Sequence, residues 1–473
     1  TTREACGNTV RNVTACPYAG VSPEEPFDVT PYADRVSRFF LRNPIAQNLP
    51  RKFKIAFEGC RTDHARTAIH DVGAVACVEG GRRGFRLYVG GGLGPSPRAA
   101  FLLEPFTPAE DLLPTLEAII RVFDRHGNRE NRNRARLKFL VKEWGQERFV
   151  RAVLAERRVV RTTRSGGSLL QAEALAAQAG PGPDGVPIPG AIPPLGDGAV
   201  DGETPPDVEV KPAPGFPRLT GYERWLLTNV YRQKQPGWVT VTVRCPLGDI
   251  TAAQLRALAA ISRRFNGGRI RTAITQNLLL RWVPQPLLPE LYAALVAVGL
   301  GHHSADRIAD ITRCPGADTC NLAITHSRGL AAALSELFAD GFGAVPEIQD
   351  ISIKISGCPN SCGQHHIADI GLYGTARKVG EREVPHYVLL VGGRTAEGEA
   401  RFGTVVAQVP ARRAVEAVRR ILQRFREERR DGERFREYVE RVGARSLRCL
   451  VEPLQELAPY EQEPQLYEDL GAE

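Results

Sequence analysis

Four cysteines are grouped in two short motifs in the second half of the chain, Cys314-Pro-Gly-Ala-Asp-Thr-Cys320 and Cys358-Pro-Asn-Ser-Cys362. Four thiolates are the set that a 4Fe-4S cluster requires, because each iron takes one of them. A structural zinc ion is the alternative, but zinc sites favour cysteines two to four residues apart, so the gap of five residues counts against zinc. The two motifs therefore predict one 4Fe-4S cluster, and cysteines that hold no ligand are a weaker alternative.

A second group of candidate residues is cationic. Residues 49–57 read Leu-Pro-Arg-Lys-Phe-Lys-Ile-Ala-Phe and alternate as a strand does, so Lys52 and Lys54 face one side while Phe53, Ile55 and Phe57 face the other. The apolar side is expected to pack into a core. The two lysines face either solvent or a bound anion, and the strand taken alone favours solvent.

The cysteines and the lysines lie in two copies of one sequence unit. The segment Lys54-Ile-Ala-Phe-Glu-Gly-Cys60 matches Ser352-Ile-Lys-Ile-Ser-Gly-Cys358 at an offset of 298 positions. The same offset relates Cys-Pro at 16–17 to Cys-Pro at 314–315, and Asp-Val-Gly at 71–73 to Asp-Ile-Gly at 369–371. A constant offset over such a distance indicates an internal duplication.

The two copies have kept different residues. The counterparts of Lys52 and Lys54 in the second copy are Asp350 and Ser352, so one copy holds the cluster thiols and the other holds the cations. This division favours an anion as the partner of the lysines, because a solvated strand face needs no such asymmetry.

The first copy also retains part of the cysteine pattern. Cys16, Cys60 and His64 occupy the positions of the first, third and fourth cluster cysteines, and nothing corresponds to Cys320. A stable zinc or iron–sulfur site generally needs four protein ligands. With a ligand missing, we expect a relic of the duplication rather than a second metal site.

The elements that carry these motifs alternate between strands and helices. In each copy, strands that end in glycines, at 88–92 and at 387–393, precede an amphipathic helix. Apolar residues at helical spacing form the expected core stripes, namely Leu116, Ile119, Ile120 and Phe123 in the first copy and Val415, Val418, Ile421, Leu422 and Phe425 in the second. The charge run at 424–434 is interpreted as the solvated face of the second helix.

Before its repeat core, the second copy carries a further segment at 219–310. A strand at 238–244, a helix near 252–265, a strand at 277–283 and a helix at 289–298 resemble half of a ferredoxin-like sheet. The predicted fold class is α+β, a duplicated unit with pseudo-twofold symmetry plus this half-domain. The predicted domains are 1–162, a Gly/Pro-rich linker at 163–217, the half-domain at 218–310, and 311–473.

The partner of the half-domain should precede Asn8 if the offset of 298 holds, and that sequence is not present. We therefore expect that roughly ninety residues precede Thr1 in the full protein. Half a sheet exposes strand edges. The expectation is an uncovered groove beside the strand at 238–244, or another polypeptide that fills it.

Composition limits the classes of function. The 62 Lys and Arg against 54 Asp and Glu give a net charge of +8, which suits anionic ligands or an acidic protein partner. Ten cysteines in 473 residues argue against a disulfide scaffold. There is no aromatic-and-basic nucleic-acid motif, no apolar run of about 20 residues and no hydrophobic secretory segment at the N-terminus. We interpret the protein as cytoplasmic, without a nucleic-acid or membrane partner.

Both cysteine motifs, with Ser356-Gly-Cys-Pro-Asn-Ser-Cys-Gly-Gln-His-His366 and Asp-Ile-Gly at 369–371, resemble the signature of the siroheme-dependent sulfite and nitrite reductase family. The resemblance covers essentially the whole chain, including the repeat. It implies two cofactors, siroheme and a 4Fe-4S cluster. It also implies that Cys362 bridges the cluster to the siroheme iron, and that Asn360 and Gln364 lie around the ligands, where hydrogen bonds tune the potential.

The same resemblance assigns roles in the first copy. Arg11, Lys52 and Lys54 are implied to bind the anionic substrate on the distal side of the siroheme, and Arg51 to pair with siroheme carboxylates. Arg and Lys suit this task, because they attract an oxyanion and stabilise charge as oxygens leave. Cys6 lies near Arg11 in sequence, and we expect it to be a buried, inert thiol, although in some relatives a cysteine here is covalently joined to a tyrosine.

The expected activity is six-electron reduction of sulfite to sulfide. Nitrite reduction to ammonia on the same site is the alternative, and an iron–sulfur precorrin oxygenase or a bare electron carrier is a third reading. Sulfite is favoured because Lys-x-Lys at 52–54 resembles the sulfite-reducing members, whereas nitrite-specific members commonly have Asn at the position of Lys54. No flavin or nicotinamide fingerprint occurs, so we expect an electron-donor protein, an acidic ferredoxin in the first place and a flavoprotein subunit in the second.

Overall fold

The computed structural model describes residues 6–162, 219–339, 342 and 345–472. The predicted linker at 163–217 lies outside the described residues. The chain divides into two compact units. The first is formed by the described residues up to 162 together with Gln233–Pro236 and Thr395–Ala400, and the second contains the remaining described residues.

The first unit is built on a five-stranded sheet in the order β1-β2-β3-β4-β5. The first three strands are parallel and the last two pairings are antiparallel. The β3–β4 hairpin turns at two glycines, Gly80 and Gly81, whose φ angles of 56° and 77° favour glycine in a two-residue turn. The strands are β1 Val10–Ala15, β2 Phe53–Glu58, β3 Val72–Glu79, β4 Arg82–Val89 and β5 Phe101–Pro108.

Helices cover the apolar surfaces of the first unit. The predicted stripe on the helix Leu112–His126 is confirmed, because Leu116, Ile119, Ile120 and Phe123 are all fully buried. Phe53, Ile55 and Phe57 are also fully buried, as the alternation predicts. The helices are α1 Thr30–Phe40, α2 Leu112–His126, α3 Leu137–Trp144 and α4 Gln146–Arg161.

The second unit repeats this topology. Its larger sheet has the order β10-β11-β12-β13-β16, again with parallel pairings followed by antiparallel ones. The strands are β10 Thr312–Arg313, β11 Ile353–Ser356, β12 Ile370–Val379, β13 Arg382–Val391 and β16 Thr404–Pro410, and a small hairpin adds β14 Arg394–Ala396 and β15 Glu399–Arg401. The predicted duplication and the α+β fold class are therefore confirmed.

The helices of this repeat follow the same pattern. They are α8 Ser327–Ala339, α9 Ala414–Glu428 and α10 Phe435–Val451. On α9, Val418, Ile421, Leu422 and Phe425 are fully buried, whereas Val415 is only half-buried. The charged face of α9 carries ion pairs between residues one turn apart, such as Arg424–Glu428, as expected of a solvated face.

The half-domain forms a separate four-stranded sheet in the order β6-β7-β9-β8. All four predicted elements are present, and the structure adds a helix and two short strands. The elements are α5 Gly221–Asn229, β6 Val230–Arg232, β7 Trp238–Val243, α6 Ala252–Asn266, β8 Ile270–Thr272, β9 Leu278–Pro284 and α7 Leu288–Ala297. Both α5 and α6 begin with a capping box, at Thr220 and Thr251.

One expectation for this sheet is wrong. The strand at 238–244 was expected to border an uncovered groove, but β7 is hydrogen-bonded on both sides, to β6 and to β9. The two short strands β6 and β8 form the edges instead. Such short strands expose few unpaired backbone groups.

The domain boundaries derived from the sequence stay a prediction.

Within the described residues, no helix is both long and apolar enough to cross a lipid bilayer.

Candidate functional site

The two cysteine motifs begin where two neighbouring parallel strands end. Cys314 directly follows β10, and Cys358 lies two residues after the end of β11, with Gly357 between them. Parallel strands bring their carboxyl ends to the same edge of a sheet. The backbone N–H of Cys314 donates to the carbonyl of Ile355 at 3.1 Å, which continues the ladder to the first cysteine.

Gly357 joins the two motifs. Its N–H donates to Cys314 Sγ at 3.1 Å, and its carbonyl accepts from the N–H groups of Ile324 and Thr325 at 2.8 and 3.1 Å. A Cβ on Gly357 would lie 2.7 Å from the Thr325 carbonyl oxygen and 3.0 Å from Gly316 Cα. Only glycine permits this approach, so the two loops that carry the cysteines are held in direct contact.

The four cysteines differ in exposure. Cys314 and Cys358 are buried, Cys320 is half-buried and Cys362 is exposed. Their ligand atoms do not form a set within 4.8 Å of one another, as the ligands of one ion do, in the part of the chain that the structure describes. Wider separation suits a cluster in which each thiolate binds a different iron.

Several buried polar atoms beside Cys362 have no hydrogen-bond partner among the described residues. They are Ser361 Oγ, Gln364 Oε1 and His365 Nε2. Ser361 and Gln364 also have positive φ angles of 60° and 65°, a conformation that residues other than glycine rarely adopt. Strain of this kind concentrates at functional sites. Asn360, the other residue predicted here, is exposed.

His365 is held as a neutral imidazole. Burial lowers its pKa to about 2, and the neighbouring His366 acts in the same direction. Its Nδ1 lies 2.9 Å from Ser356 Oγ, and its ring stacks on Tyr373 with centroids 4.7 Å apart.

In the first unit, the predicted cations lie on the adjacent strands β1 and β2. Asn12 pairs with Lys54, and a register shift between Val10 and Asn12 places Arg11 at an irregularity in the ladder. Irregularities of this kind re-aim a side chain and are frequent beside functional sites. Lys52 precedes β2 by one residue, and Arg11, Lys52 and Lys54 are all half-buried.

Asp71 positions Lys54. Its Oδ2 accepts the Lys54 backbone N–H at 3.1 Å and pairs with Arg136 at 2.8 Å. The second unit repeats the arrangement, because Asp369 Oδ2 accepts the Ser352 N–H at 2.9 Å and Asp369 pairs with Arg436.

Positive charge accumulates around these residues. Burial lowers the pKa of Arg51, and Arg132, Arg11 and Arg136 add to the effect. Burial likewise lowers the pKa of Lys138 to about 8, with Arg136, Arg98 and Lys52 acting in the same direction. A region in which cations disfavour one another's charge is suited to an anionic ligand.

Sequence reasoning missed Arg136 and Lys138. Arg136 and Arg436 are 300 positions apart, whereas the repeat was detected at an offset of 298, so the pair falls out of register. The signal that leads to them is the matched pair of aspartates at 71 and 369. Lys138 donates to the carbonyl groups of Leu93 and Ser96, so its ammonium also fixes the glycine-rich loop after β4.

Comparison with known proteins identifies the family that has this fold and these motifs. The family described as "Nitrite and sulphite reductase 4Fe-4S domain" matches residues 6–161 and 304–457, which cover both copies of the repeat and more than half of the chain. The chain belongs to this family. The description "Nitrite/Sulfite reductase ferredoxin-like half domain" matches residues 231–298, in agreement with the predicted half-domain.

Relatives of this family member bear both activities in their names. The assimilatory ferredoxin-dependent nitrite reductase of Haloferax mediterranei is 29% identical, over 96% of this chain and 72% of that protein. The ferredoxin–nitrite reductase of Synechococcus elongatus is 28% identical, over 82% of this chain and 66% of that protein. The sulfite reductase (ferredoxin) 1 of Mycolicibacterium paratuberculosis is 28% identical, over 94% of this chain and 72% of that protein.

A solved structure, that of the Mycobacterium tuberculosis NirA protein, matches this chain with a TM-score of 0.71 and 28% identity. The match covers 94% of this chain and 72% of that one. These comparisons confirm the resemblance that the motifs indicate.

The cofactors of this family are a 4Fe-4S cluster and siroheme, and the second unit has groups that fit the cluster. Four cysteines are present on two interlocked loops, and the Gly357 N–H donates to Cys314 Sγ as N–H groups do to cluster thiolates. The unpartnered polar atoms at Ser361, Gln364 and His365 can bind a further group.

One expectation for the first unit of this reductase-family chain is corrected, because Cys6 was expected to be buried but is exposed. The interpretation of Cys16, Cys60 and His64 as a relic of the duplication stays a prediction, but the structure adds the carboxylate of Glu58, which lies within 4.8 Å of all three. Glu58 corresponds to Ser356 in the second copy, so the repeat gave no indication of it.

Proposed function

We propose that this chain carries out the six-electron reduction of sulfite to sulfide. The single observation that carries the proposal is the basic group on β1 and β2, where Arg11 lies beside the strand of Lys54 within a larger set of cations. Such a group suits an anionic ligand, and the family supplies the redox chemistry. Lys52 and Lys54 favour sulfite, because an additional close cation attracts a dianion more strongly than the monoanion nitrite.

The reaction requires protons as well as electrons. Sulfite takes up six electrons and seven protons to give hydrosulfide and three waters. The chain's own cations have two tasks in it: they bind the oxyanion, and they donate hydrogen bonds to the oxygens that leave as water. Asp71 acts on substrate through Lys54, whose backbone it holds, and is a positioning residue.

The proposal assigns the electron-transfer site to the second unit. Cys314, Cys320, Cys358 and Cys362 would hold the 4Fe-4S cluster, Cys362 would also serve as a ligand toward the siroheme, and Asn360 and Gln364 would lie around these ligands. Arg51 would pair with siroheme carboxylates. When bound, the siroheme and the cluster supply an electron store at the substrate. The Oε1 atom of Gln364 is buried and has no hydrogen-bond partner among the described residues, which supports the proposed place of Gln364 beside the cofactor.

We propose an acidic ferredoxin as the electron donor. The names of the relatives include ferredoxin, and the net charge of +8 with a sequence pI of about 9.0 provides electrostatic complementarity to an acidic carrier. The proposal places the enzyme in the cytoplasm and gives it no nucleic-acid or membrane partner.

Nitrite is the second candidate substrate, because two of the compared relatives are named nitrite reductases. The two candidates are separated by kcat/KM for sulfite and for nitrite, measured with the same reduced ferredoxin on the siroheme-loaded enzyme. The proposal expects the higher value for sulfite. A higher value for nitrite would assign the enzyme to the alternative, and a protein that reduces neither anion would contradict both.

A further inference from the structure

A compact group of metal-ligating side chains lies in the first unit, outside the cluster loops. Cys16 follows β1, Glu58 ends β2, and Cys60 and His64 lie in the loop after β2. The Sγ of Cys16 lies 3.5 Å from the Sγ of Cys60 and 3.6 Å from His64 Nδ1. Of the residues that the structure describes, only these four form a group of at least three such ligands within 4.8 Å.

These distances are those of a tetrahedral metal site. Zinc binds thiolate sulfur at about 2.3 Å and imidazole nitrogen at about 2.0 Å, so two tetrahedral sulfurs stand about 3.8 Å apart and a sulfur and a nitrogen about 3.6 Å apart. The two separations measured from Cys16 Sγ agree with these sulfur–sulfur and sulfur–nitrogen separations to within a few tenths of an ångström. All four ligand atoms lie within 4.8 Å of one another, close enough to share one ion.

The carboxylate of Glu58 is fixed for the fourth position. It is completely buried, and its oxygens accept three backbone N–H bonds, from Gly59, Cys60 and Ala65, at 2.7–2.8 Å. Ligating carboxylates are typically held by such hydrogen bonds. Within the described residues, Glu58 accepts hydrogen bonds from these backbone groups and forms no ion pair with a cationic side chain.

A second buried carboxylate adds to the negative charge of this region. Asp63, adjacent to His64, is completely buried, and its Oδ2 has no hydrogen-bond partner in the described part of the chain. Its Oδ1 accepts from the backbone and hydroxyl of Thr67. Two buried carboxylates beside two thiols are costly unless a cation offsets their charge.

We propose that Cys16, Glu58, Cys60 and His64 bind one divalent metal ion of the zinc class. Binding replaces the two thiol protons, which leave to solvent, and involves no change of oxidation state. Four protein ligands leave no position for substrate, so the ion is structural. It ties the end of β1 to the end of β2, and so steadies the pair of strands that carries Arg11 and Lys54.

All four side chains belong to the first unit. Cys16, Cys60 and His64 stand at the repeat positions of three cluster cysteines, whereas Glu58 stands at the position of Ser356.

Zinc per chain, measured by elemental mass spectrometry on the purified, cofactor-loaded protein, tests the site. We expect about one zinc in the parent chain and a loss of at least tenfold in Cys60→Ser and His64→Ala, with the 4Fe-4S absorbance retained. The matched control is Cys77→Ser, a buried cysteine of the same unit outside the group, which should keep its zinc. Equal zinc in the parent and both variants would overturn the proposal.

The X-ray absorption of zinc in the unmutated protein provides a test that does not depend on whether the variants fold. We expect a coordination shell of two sulfur and two nitrogen or oxygen atoms. A shell of four sulfurs would place the zinc on Cys314, Cys320, Cys358 and Cys362 instead and would contradict the proposal. A Cys16–Cys60 disulfide in the peptide map, or protein without zinc, would also contradict it.

Discussion

Lys54 is the residue on which the choice of substrate depends. Its backbone is anchored by Asp71, so a change of side chain leaves the strand in place. Lys54→Asn removes one cation near the anion, an interaction worth about 1 to 4 kcal/mol depending on screening. We expect the ratio of kcat/KM for sulfite over nitrite to fall at least fivefold. Lys142→Asn, an exposed lysine of the same unit, is the control, and an unchanged ratio in Lys54→Asn would refute the assignment.

Cys362 is the exposed member of the four predicted ligands, so its replacement disturbs packing least. Cys362→Ser removes one iron ligand, and we expect the 4Fe-4S absorbance and electron paramagnetic resonance signal to disappear together with turnover. Cys449→Ser, an exposed cysteine of the same unit, should retain both. A protein with all four predicted ligands replaced by serine that still reduced substrate would contradict the whole account.

His70 gives the fold a defined response to acid. Burial lowers its pKa from 6.5 to about 4, and Lys54 and Arg136 add to the effect, whereas the bond to the Arg66 carbonyl opposes it. Below pH 6.5 the unfolded chain therefore binds more protons than the folded chain. The contribution of His70 to the free energy of unfolding is complete above pH 6.5 and is lost as the pH falls toward 4, by up to about 3 kcal/mol.

The variant His70→Asn should reduce this pH dependence, because the asparagine amide can still donate to the Arg66 carbonyl and does not titrate. Urea unfolding at pH 7 and pH 5 measures the difference. The exposed His126→Asn serves as the control. The control should lose as much free energy of unfolding between pH 7 and pH 5 as the parent does. The prediction fails if His70→Asn loses that same amount.

At the scale of elements, Gly374 on β12 holds the cysteine loops together. A Cβ at this position would lie 2.0 Å from Thr325 Oγ1 and 2.5 Å from the Gly357 carbonyl oxygen. Gly374→Ala should destabilise the unit by about 1 to 3 kcal/mol and lower cluster content. Thermal unfolding and the 4Fe-4S absorbance check both effects. Gly380→Asn, in the open turn of the same hairpin, should change neither, and equal behaviour of the two variants would disprove the role of Gly374.

The elements that sequence predicted best are those with strong periodicity. The stripes on α2 and α9 and the alternation around Lys54 follow from burial of one face, which local sequence encodes. The strands β6 and β8 are only three residues long and carry no readable alternation, so their pairing was missed and β7 was expected to border a groove. Their pairing depends on the whole sheet rather than on local sequence.

Site residues could be predicted from the sequence where the two copies of the repeat align at a constant offset. The cluster cysteines and the lysines follow from residue types and the offset of 298. Glu58 was missed because its counterpart is a serine, and Arg136 because its counterpart is displaced by two positions. Contacts between residues distant in sequence, such as Arg136 with Asp71, become visible only once the chain is folded.

At the scale of the whole molecule, duplication has allowed two copies of one fold to specialise. Both copies retain the parallel–antiparallel sheet and the aspartate that fixes the second strand. The first copy carries the cations and the proposed structural metal, and the second carries the cluster cysteines. A reductase benefits from such a division, because anion binding and electron storage place opposite demands on local charge.

The central claim is that this chain moves six electrons to one sulfite. The most direct measurement is the amount of reduced ferredoxin oxidised for each sulfide formed by the siroheme-loaded enzyme. With a ferredoxin that carries a single cluster and therefore one electron, the account predicts six ferredoxins oxidised per sulfide, with no release of partly reduced sulfur. Oxidation of ferredoxin without formation of sulfide, or a ratio clearly different from six, would contradict it.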